Sequence, residues 1–498
     1  MRRFTRKEID EMDLSGIEFD LKSRDDIPQL LRGLQYIFLT PSLREEVFQI
    51  LDTLFPEKLD RNNGRPGMDM WSIFVMGVLR LNLNWDYDRL HEMVNNHRTI
   101  RQILGHAIPD DGDHYGLQNL KDNVALLTPE ILDKINQVVV KAGHIIVKKI
   151  EDDDSPKADE SAESDKLRGR CDSFVVETDV DYPTDTKLLF DALRKVIELL
   201  MRLCKTGGLS DWQDGRNEIK RLKKLLRHIQ RLKRSSSKKE EKKEARDKEI
   251  IKAHEKYLEV ARQLLQRVDK TLRTLREKYP NNKKLLKIEE FIGHAERQID
   301  HIERRVIHGE KIPHEEKVFS IFEPYTEWLS KGKAGVAVEL GLNVCILEDQ
   351  YHFILHHQVM QKQTDEQVAV PMVKETQTRF PNLTVCSFDQ GFHSPDNQTE
   401  LADLLELAVL PRKGRLSIEE QTRQNAEDFV QARCQHAAVE SAINALEVHG
   451  LDRCPDHGLP AFKRYVALAV VARNIQLLGR YLGQQEKEAG STLCQQAA

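Results

Sequence analysis

Between Cys171 and Val180 the spacing of apolar residues changes, and that change restricts the folds open to this chain. Up to about residue 150 the apolar residues recur at helical intervals; CDSFVVETDV instead has the alternation and β-branched content of a strand, closed by Tyr182-Pro183-Thr184-Asp185. Strands return only after residue 335. Val336, Val338 and Leu340 alternate, then Val344 to Leu347, then Tyr351 to His357 with Phe353 and Leu355. Gly341-Leu342-Asn343 and Glu348-Asp349-Gln350 read as the turns of a meander. Leu383 to Phe388 and Ala408 to Leu410 read as short strands, with helices at Thr364 to Arg379 and Gln398 to Leu405 between and around them.

A long helical block, Thr186 to Arg305, separates the first strand from the rest. Ile219, Leu222, Leu225, Leu226, Ile229 and Leu232 repeat at helical spacing, and so do Leu258, Ala261, Leu265, Val268, Leu272 and Leu275. RSSSKKEEKKEARDKE lies between them, so a helical hairpin or an oligomer seam is expected. Its Lys and Arg residues form a solvated face or one that touches DNA phosphates. The region before residue 150 is expected to be all-helical. Asp69 to Leu83 is a core helix after the Gly64-Arg65-Pro66-Gly67 turn, and Arg89, His97, Arg98 and Arg101 sit on short helices. That pattern suits a helix-turn-helix DNA reader and equally a packing module. Glu151 to Asp165 is acidic and nearly free of apolar residues, which suggests a linker and a domain boundary. The expected division is a helical N-terminal DNA-binding region over 1–150, an acidic linker over 151–168, an α/β domain over 169–482 with a helical insertion at about 186–310, and a polar tail over 483–498. Phe462 to Leu482 is an apolar helix before that tail.

No apolar run reaches membrane-spanning length, and MRRFTRKEIDEMDLSG lacks the apolar core of a signal peptide. The seven scattered cysteines fit reduced thiols and a prokaryotic cytoplasmic setting. The net charge of -5 does not itself suggest a nucleic-acid partner, but the charge is uneven: acidic over Glu151 to Asp165, basic over Arg216 to Lys248.

From Cys171 the order is strand, helical insertion, antiparallel strands, helix, strand, helix, strand, helix. The insertion apart, this is a ribonuclease-H-like order with a mixed sheet. Carboxylates stand where such a core needs them: Asp172 on the first strand, Asp389 directly after Leu383 to Phe388, and Glu440 on a late helix. That helix, RCQHAAVESAINALE, is expected to run unbroken from Arg433 to Glu447. Ala437, Ala438, Val439, Ala442, Ile443 and Leu446 would be buried, and Arg433, His436, Glu440, Asn444 and Glu447 would form one stripe. Converging carboxylates repel unless a cation lies between them, and hard oxygen ligands select Mg²⁺ or Mn²⁺. Two such ions roughly 3.5–4 Å apart could clamp the oxygens of a phosphodiester displacement.

DSFVVETDVDYPTD, KGKAGVAVELG, SFDQGF and HAAVES followed by HGLDRC together resemble the DDE-type insertion-sequence transposases, and GRPGMDMWSIFVMGVLR with WDYDRL resembles their helical N-terminal domain. The resemblance runs from about residue 60 to 480 and rests on the order and spacing of motifs that are individually weak. It implies DNA cleavage at element ends and transfer of the freed 3′-OH into target DNA, with Asp172, Asp389 and Glu440 as the catalytic and metal-binding triad. It also implies double-stranded DNA as partner and a homodimer or larger assembly at synapsis. Where some relatives place basic residues four before and seven after the glutamate, this chain has His436 and Glu447.

Each residue has a rival role. Asp179, Asp181 and Asp185 compete with Asp172, though as capping residues near the Pro turn. Glu447 competes with Glu440, and Asp389 could simply initiate a turn. Lys331, Lys333, Arg412, Lys413, Arg433 and His436 are candidate DNA contacts, set against ordinary surface lysines and a packed histidine. Trp328 is expected in the core or on the sheet edge. The spacing of Cys434, His436, His449, Cys454 and His457 matches no common zinc finger. A structure-selective nuclease of the same fold and an inactive DNA-binding protein remain the competing functions.

Overall fold

A computed structural model describes residues 2–3, 14–20, 23–54, 65–106, 114–154, 166–234, 240–280, 282–330 and 338–496. Lys331, Lys333, Val336, Gly64 and the greater part of the acidic stretch lie outside the described residues. The chain is mixed α/β and divides into two compact units, Met1–Asp179 with Leu329–Ala498, and Val180–Trp328. No helix among the described residues is long and apolar enough to cross a membrane.

The first unit begins with helices α1 (Asp26–Leu39), α2 (Pro41–Asp52), α3 (Met70–Asn82), α4 (Tyr87–Asn96), α5 (Arg98–Ile103), α6 (Leu117–Val124) and α7 (Pro129–Asp154). Arg2–Arg3 and Arg65–Pro66 make a two-residue parallel pairing, so the region is not wholly helical. Asp25, Asp69 and Asp86 cap α1, α3 and α4 by accepting a backbone N–H, which fixes where each helix starts. Helix α3 is buried along its whole length, as its apolar sequence requires.

The compact units do not divide at the acidic stretch, where a boundary was expected. Helix α17 (Leu459–Gln496) packs against α1, α3 and α7, so both ends of the chain enter one unit. Glycines let α1 and α17 meet backbone to backbone: a Cβ at Gly33 would fall on the Ile475 carbonyl, and one at Gly479 on the Gln29 carbonyl. Helix α17 also continues past Gly483, through the segment expected as a tail.

The strands of this unit are β1 (Leu167–Thr178), β2 (Glu339–Glu348), β3 (Ile354–Val359), β4 (Leu383–Phe388), β5 (Leu407–Val409) and β6 (Arg453–Cys454). They lie in the order β3-β2-β1-β4-β5, with β6 beside the end of β1. Strand β2 runs antiparallel to β1 and β3, while β4 runs parallel to β1 and β5. Gly341, Leu342 and Asn343 do not form a turn. They pair with Glu177, Val176 and Val175 in the middle of a continuous strand. Gly341 is there because β1 comes close: a Cβ would fall on the Val176 carbonyl oxygen.

One face of the sheet buries Cys171, Cys345, Leu347, Cys386 and Phe388 against Val368, Ala369, Met372 and Val373 of α12 (Asp365–Arg379). On the β3 side, Asn474 of α17 accepts the Ile354 N–H at 3.0 Å and donates to the Ile354 carbonyl at 2.9 Å and to Asn136 of α7 at 2.7 Å. Asn136 donates to the same carbonyl at 2.9 Å. This fully buried clip joins the N-terminal helices, α17 and the sheet.

The second unit contains α8 (Asp185–Gly207), α9 (Gly215–Arg234), α10 (Glu240–Lys278) and α11 (Lys283–Ile302). Helix α8 packs on α9 and α11, and α10 packs on the same two. Leu222, Leu226 and Ile229 of α9 enter the common core, where Trp212 donates to Thr271 Oγ1 at 3.0 Å. The two periodic runs therefore pack together, as a hairpin would. Trp328 meets the Tyr182 ring edge-on and the Phe319 ring at a tilt.

Candidate active site

The parallel ladder between β1 and β4 brings two of the acidic residues together. Cys171 pairs with Phe388, so Asp172 and Asp389 occupy the next position on neighbouring strands, which in a sheet lie about 4.8 Å apart. Alternation turns both away from the Cys171–Phe388 face, toward α15 (Glu427–His436) and α16 (Val439–Leu446). Strand β4 ends at Phe388, which leaves Asp389 exposed before a short 3₁₀ turn, Gln390–Phe392. Its side chain makes no capping bond there, contrary to the turn-initiating role.

The helix expected over Arg433 to Glu447 is not continuous. It breaks at Ala437–Ala438, where Ala438 N–H bonds to Gln435 and Ser441 N–H to Ala438, both three residues back. Ala437 is exposed and Ile443 only half-buried, so the buried helix with a single polar stripe is corrected to two short, half-exposed helices. Glu440 is exposed in the first turn of α16, where a negative charge suits the helix dipole. Glu447 begins a π-helical segment, Glu447–Leu451.

Asp172 accepts the Ser173 backbone N–H at 2.7 Å. Burial pushes its carboxyl up to about 6 against that hydrogen bond, and the charges of Asp389, Asp365 and Glu440 add to the rise. Asp365 is a residue that sequence reasoning missed. It starts α12 within the Thr364/Gln367 capping box, an ordinary structural setting, yet it reaches the site and accepts the Ser173 hydroxyl at 2.7 Å. The rivals of Asp172 are engaged in ion pairs: Asp179 with Arg453 at 2.6 Å, Asp181 with Lys187, and Asp185 with Arg305 at 2.8 Å.

His436 sits over the same face, its Nδ1 3.0 Å from Ser387 Oγ. Burial lowers its basicity, although the Asp389 carboxylate pulls the other way. Beneath it Arg170 donates to the fully buried Glu348 at 3.0 Å; the sequence reading passed over Arg170 and took Glu348 for a turn residue, whereas it is the last residue of β2. Arg412, Lys413 and Arg433 are exposed, and Gly414 beside the first two adopts a positive φ of 86°. His449 bonds to the Asn82 carbonyl and Cys454 Sγ lies 3.7 Å from the Asp456 carbonyl, while Cys434 is exposed.

Among the described residues, no three His, Cys, Asp or Glu side chains come together as a set that could hold a metal ion. Asp172, Asp365, Asp389 and Glu440 share an electrostatic field rather than a closed ligand shell. An all-oxygen donor set with mutually repelling charges is the kind that a hard divalent cation fits. A comparison of the chain with protein-family models, with curated proteins and with solved structures finds no match.

Proposed function

We propose that this chain is a DDE-type DNA transposase, which cuts DNA at element ends and joins the freed 3′-OH to target DNA. The observation that supports it best is the β1–β4 register, which sets Asp172 beside Asp389, two carboxylates far apart in sequence, with α16, which carries Glu440, packed against β1. The strand order and directions agree with a ribonuclease-H-like core, and the helical unit Val180–Trp328 fits an insertion after its first strand.

Asp172, Asp389 and Glu440, joined by Asp365, would hold Mg²⁺ or Mn²⁺. Such ions supply the charge needed for an oxygen nucleophile to displace a phosphodiester oxygen. The chain's own residues fix the donors. The β1–β4 ladder sets Asp172 beside Asp389, Ser173 orients both Asp172 and Asp365, and His436 anchors the end of α15 to Ser387. Arg412, Lys413 and Arg433 would meet DNA phosphates, with Lys331 and Lys333 as further contacts. The short N-terminal helices would read the element end, in a dimer or larger assembly working in the cytosol.

The departure at His436 and Glu447 favours, as a second reading, a nuclease of the same fold that cuts without joining. The test is incubation of purified protein with Mg²⁺ or Mn²⁺ and a plasmid carrying the DNA that flanks the gene. Cleavage followed by joining of a 3′-OH end is expected. Cleavage without joining leaves the nuclease, and wild-type protein no more active than Asp389→Ala overturns both.

A further inference from the structure

A cavity of about 290 Å³ lies beside the acidic site and is used by none of its carboxylates. It is lined by His352, Ser441, Arg473, Arg480, Tyr481 and Gln484. Ser441 directly follows Glu440 on α16, the arginines stand two turns apart on α17, and His352 comes from the β2–β3 turn. Two guanidinium groups thus face one space. Arg473 donates to Gln476 Oε1 at 3.1 Å, but its Nε is buried with no acceptor. A buried donor without a partner is costly and calls for an acceptor supplied from elsewhere. Burial weakens the hold of Arg473 on its proton, and the charge of Arg480 acts in the same direction. The nearby acid, Glu348, accepts from Arg170 at 3.0 Å through one oxygen, and its other oxygen, which has no hydrogen-bond donor, lies 3.7 Å from His352 Nδ1. Among the described residues no carboxylate forms an ion pair with either cavity arginine. His352 holds a positive φ of 67° in the β2–β3 turn.

We propose that this cavity binds a phosphate group, with Arg473 and Arg480 supplying charge-assisted hydrogen bonds and Ser441 and His352 completing the polar wall. Two planar guanidinium groups present more N–H donors than one carboxylate can accept, and the several oxygens of a tetrahedral phosphate can take them. The phosphate belongs either to a DNA strand or to a free phosphate-bearing small molecule. The first form rests on the proposed function, because a strand seated here passes next to Glu440.

The test uses the full chain in Ca²⁺ with two probes: a fluorescein-labelled DNA duplex followed by anisotropy, and radiolabelled orthophosphate followed by equilibrium dialysis. Arg480→Gln and Arg473→Gln are compared with wild type and with Lys487→Gln, which removes one charge from the same helix outside the cavity. A loss of duplex affinity of about ten-fold or more in both arginine variants, not matched by Lys487→Gln, supports a strand phosphate. Saturable orthophosphate binding by wild type that both variants lose supports a small ligand. Duplex and orthophosphate binding no different from the Lys487→Gln control overturns the proposal. Arg480 is exposed, so its variant is informative even if Arg473→Gln fails to fold. If the variants lose phosphate while wild type never cuts DNA, the cavity stands and the transposase reading falls. If wild type cuts and joins and the variants bind as the control does, only the cavity falls.

Discussion

Asp172 and Asp389 occupy the rung beyond Cys171–Phe388 in the parallel ladder, so one strand's middle and another strand's end present acids side by side. That arrangement has a cost in the free protein, because burial and neighbouring negative charge both oppose ionisation of Asp172.

The sign of that cost can be measured. A carboxyl held up to about 6 in the folded chain, above its ordinary value of 3.8, binds a proton more tightly than in the unfolded chain. Stability from this group is therefore fully present at low pH and is lost as pH rises through about 6. Asp172→Asn is expected to stabilise the protein at pH 8 and to do so progressively less toward pH 4. Urea unfolding across that range checks it; an equal difference at both ends would show that Asp172 titrates normally.

Asp389→Asn and Glu440→Gln are expected to leave the thermal unfolding curve close to that of wild type, because both side chains are exposed. Each is expected to lower metal-dependent DNA cleavage by about a hundred-fold or more. Plasmid nicking at saturating Mg²⁺, beside a melting curve for each variant, separates the two effects. Retained nicking in Asp389→Asn would remove that residue from the site.

Gly341→Ala adds a methyl where the Val176 backbone already stands. A backbone carbonyl in the β1–β2 ladder cannot turn aside as a flexible side chain does, so the pairing must open there. The expected loss is about 1–3 kcal/mol or more of stability. Chemical denaturation measures it, and an unchanged midpoint would mean that the strands have slack here.

Asn474→Ala removes three hydrogen bonds and leaves both backbone groups of Ile354 buried without that partner. A destabilisation of about 2–4 kcal/mol is expected. Hydrogen exchange should show β3 and α7 loosening together. Loosening of β3 alone would show that Asn136 keeps its half of the contact unaided.

The sequence discloses these elements unequally. LTVCSF reads as a strand at once, since a short apolar run between turn residues has few other uses, and β4 has those bounds. Gly341-Leu342-Asn343 misleads because glycine marks both a turn and a close backbone approach, and only the partner strand tells which. Asp365 is hidden by its own helix cap, a sufficient reason for an acid at that position until Ser173 is placed beside it. The break at Ala437–Ala438 is hidden for the opposite reason: alanine favours helix, so nothing in the local sequence marks a stop there.

The amide pair Asn136–Asn474 also bears on how this protein behaves in a crowd. Strand β3 pairs on one side with β2, and on its other side the N–H and carbonyl of Ile354 are occupied by side-chain amides that mimic a neighbouring strand. A strand flank plugged in this way offers no template at Ile354 for another chain to zip onto. The same two asparagines that fasten the helices to the sheet thereby close this rung of the β3 flank to a further strand.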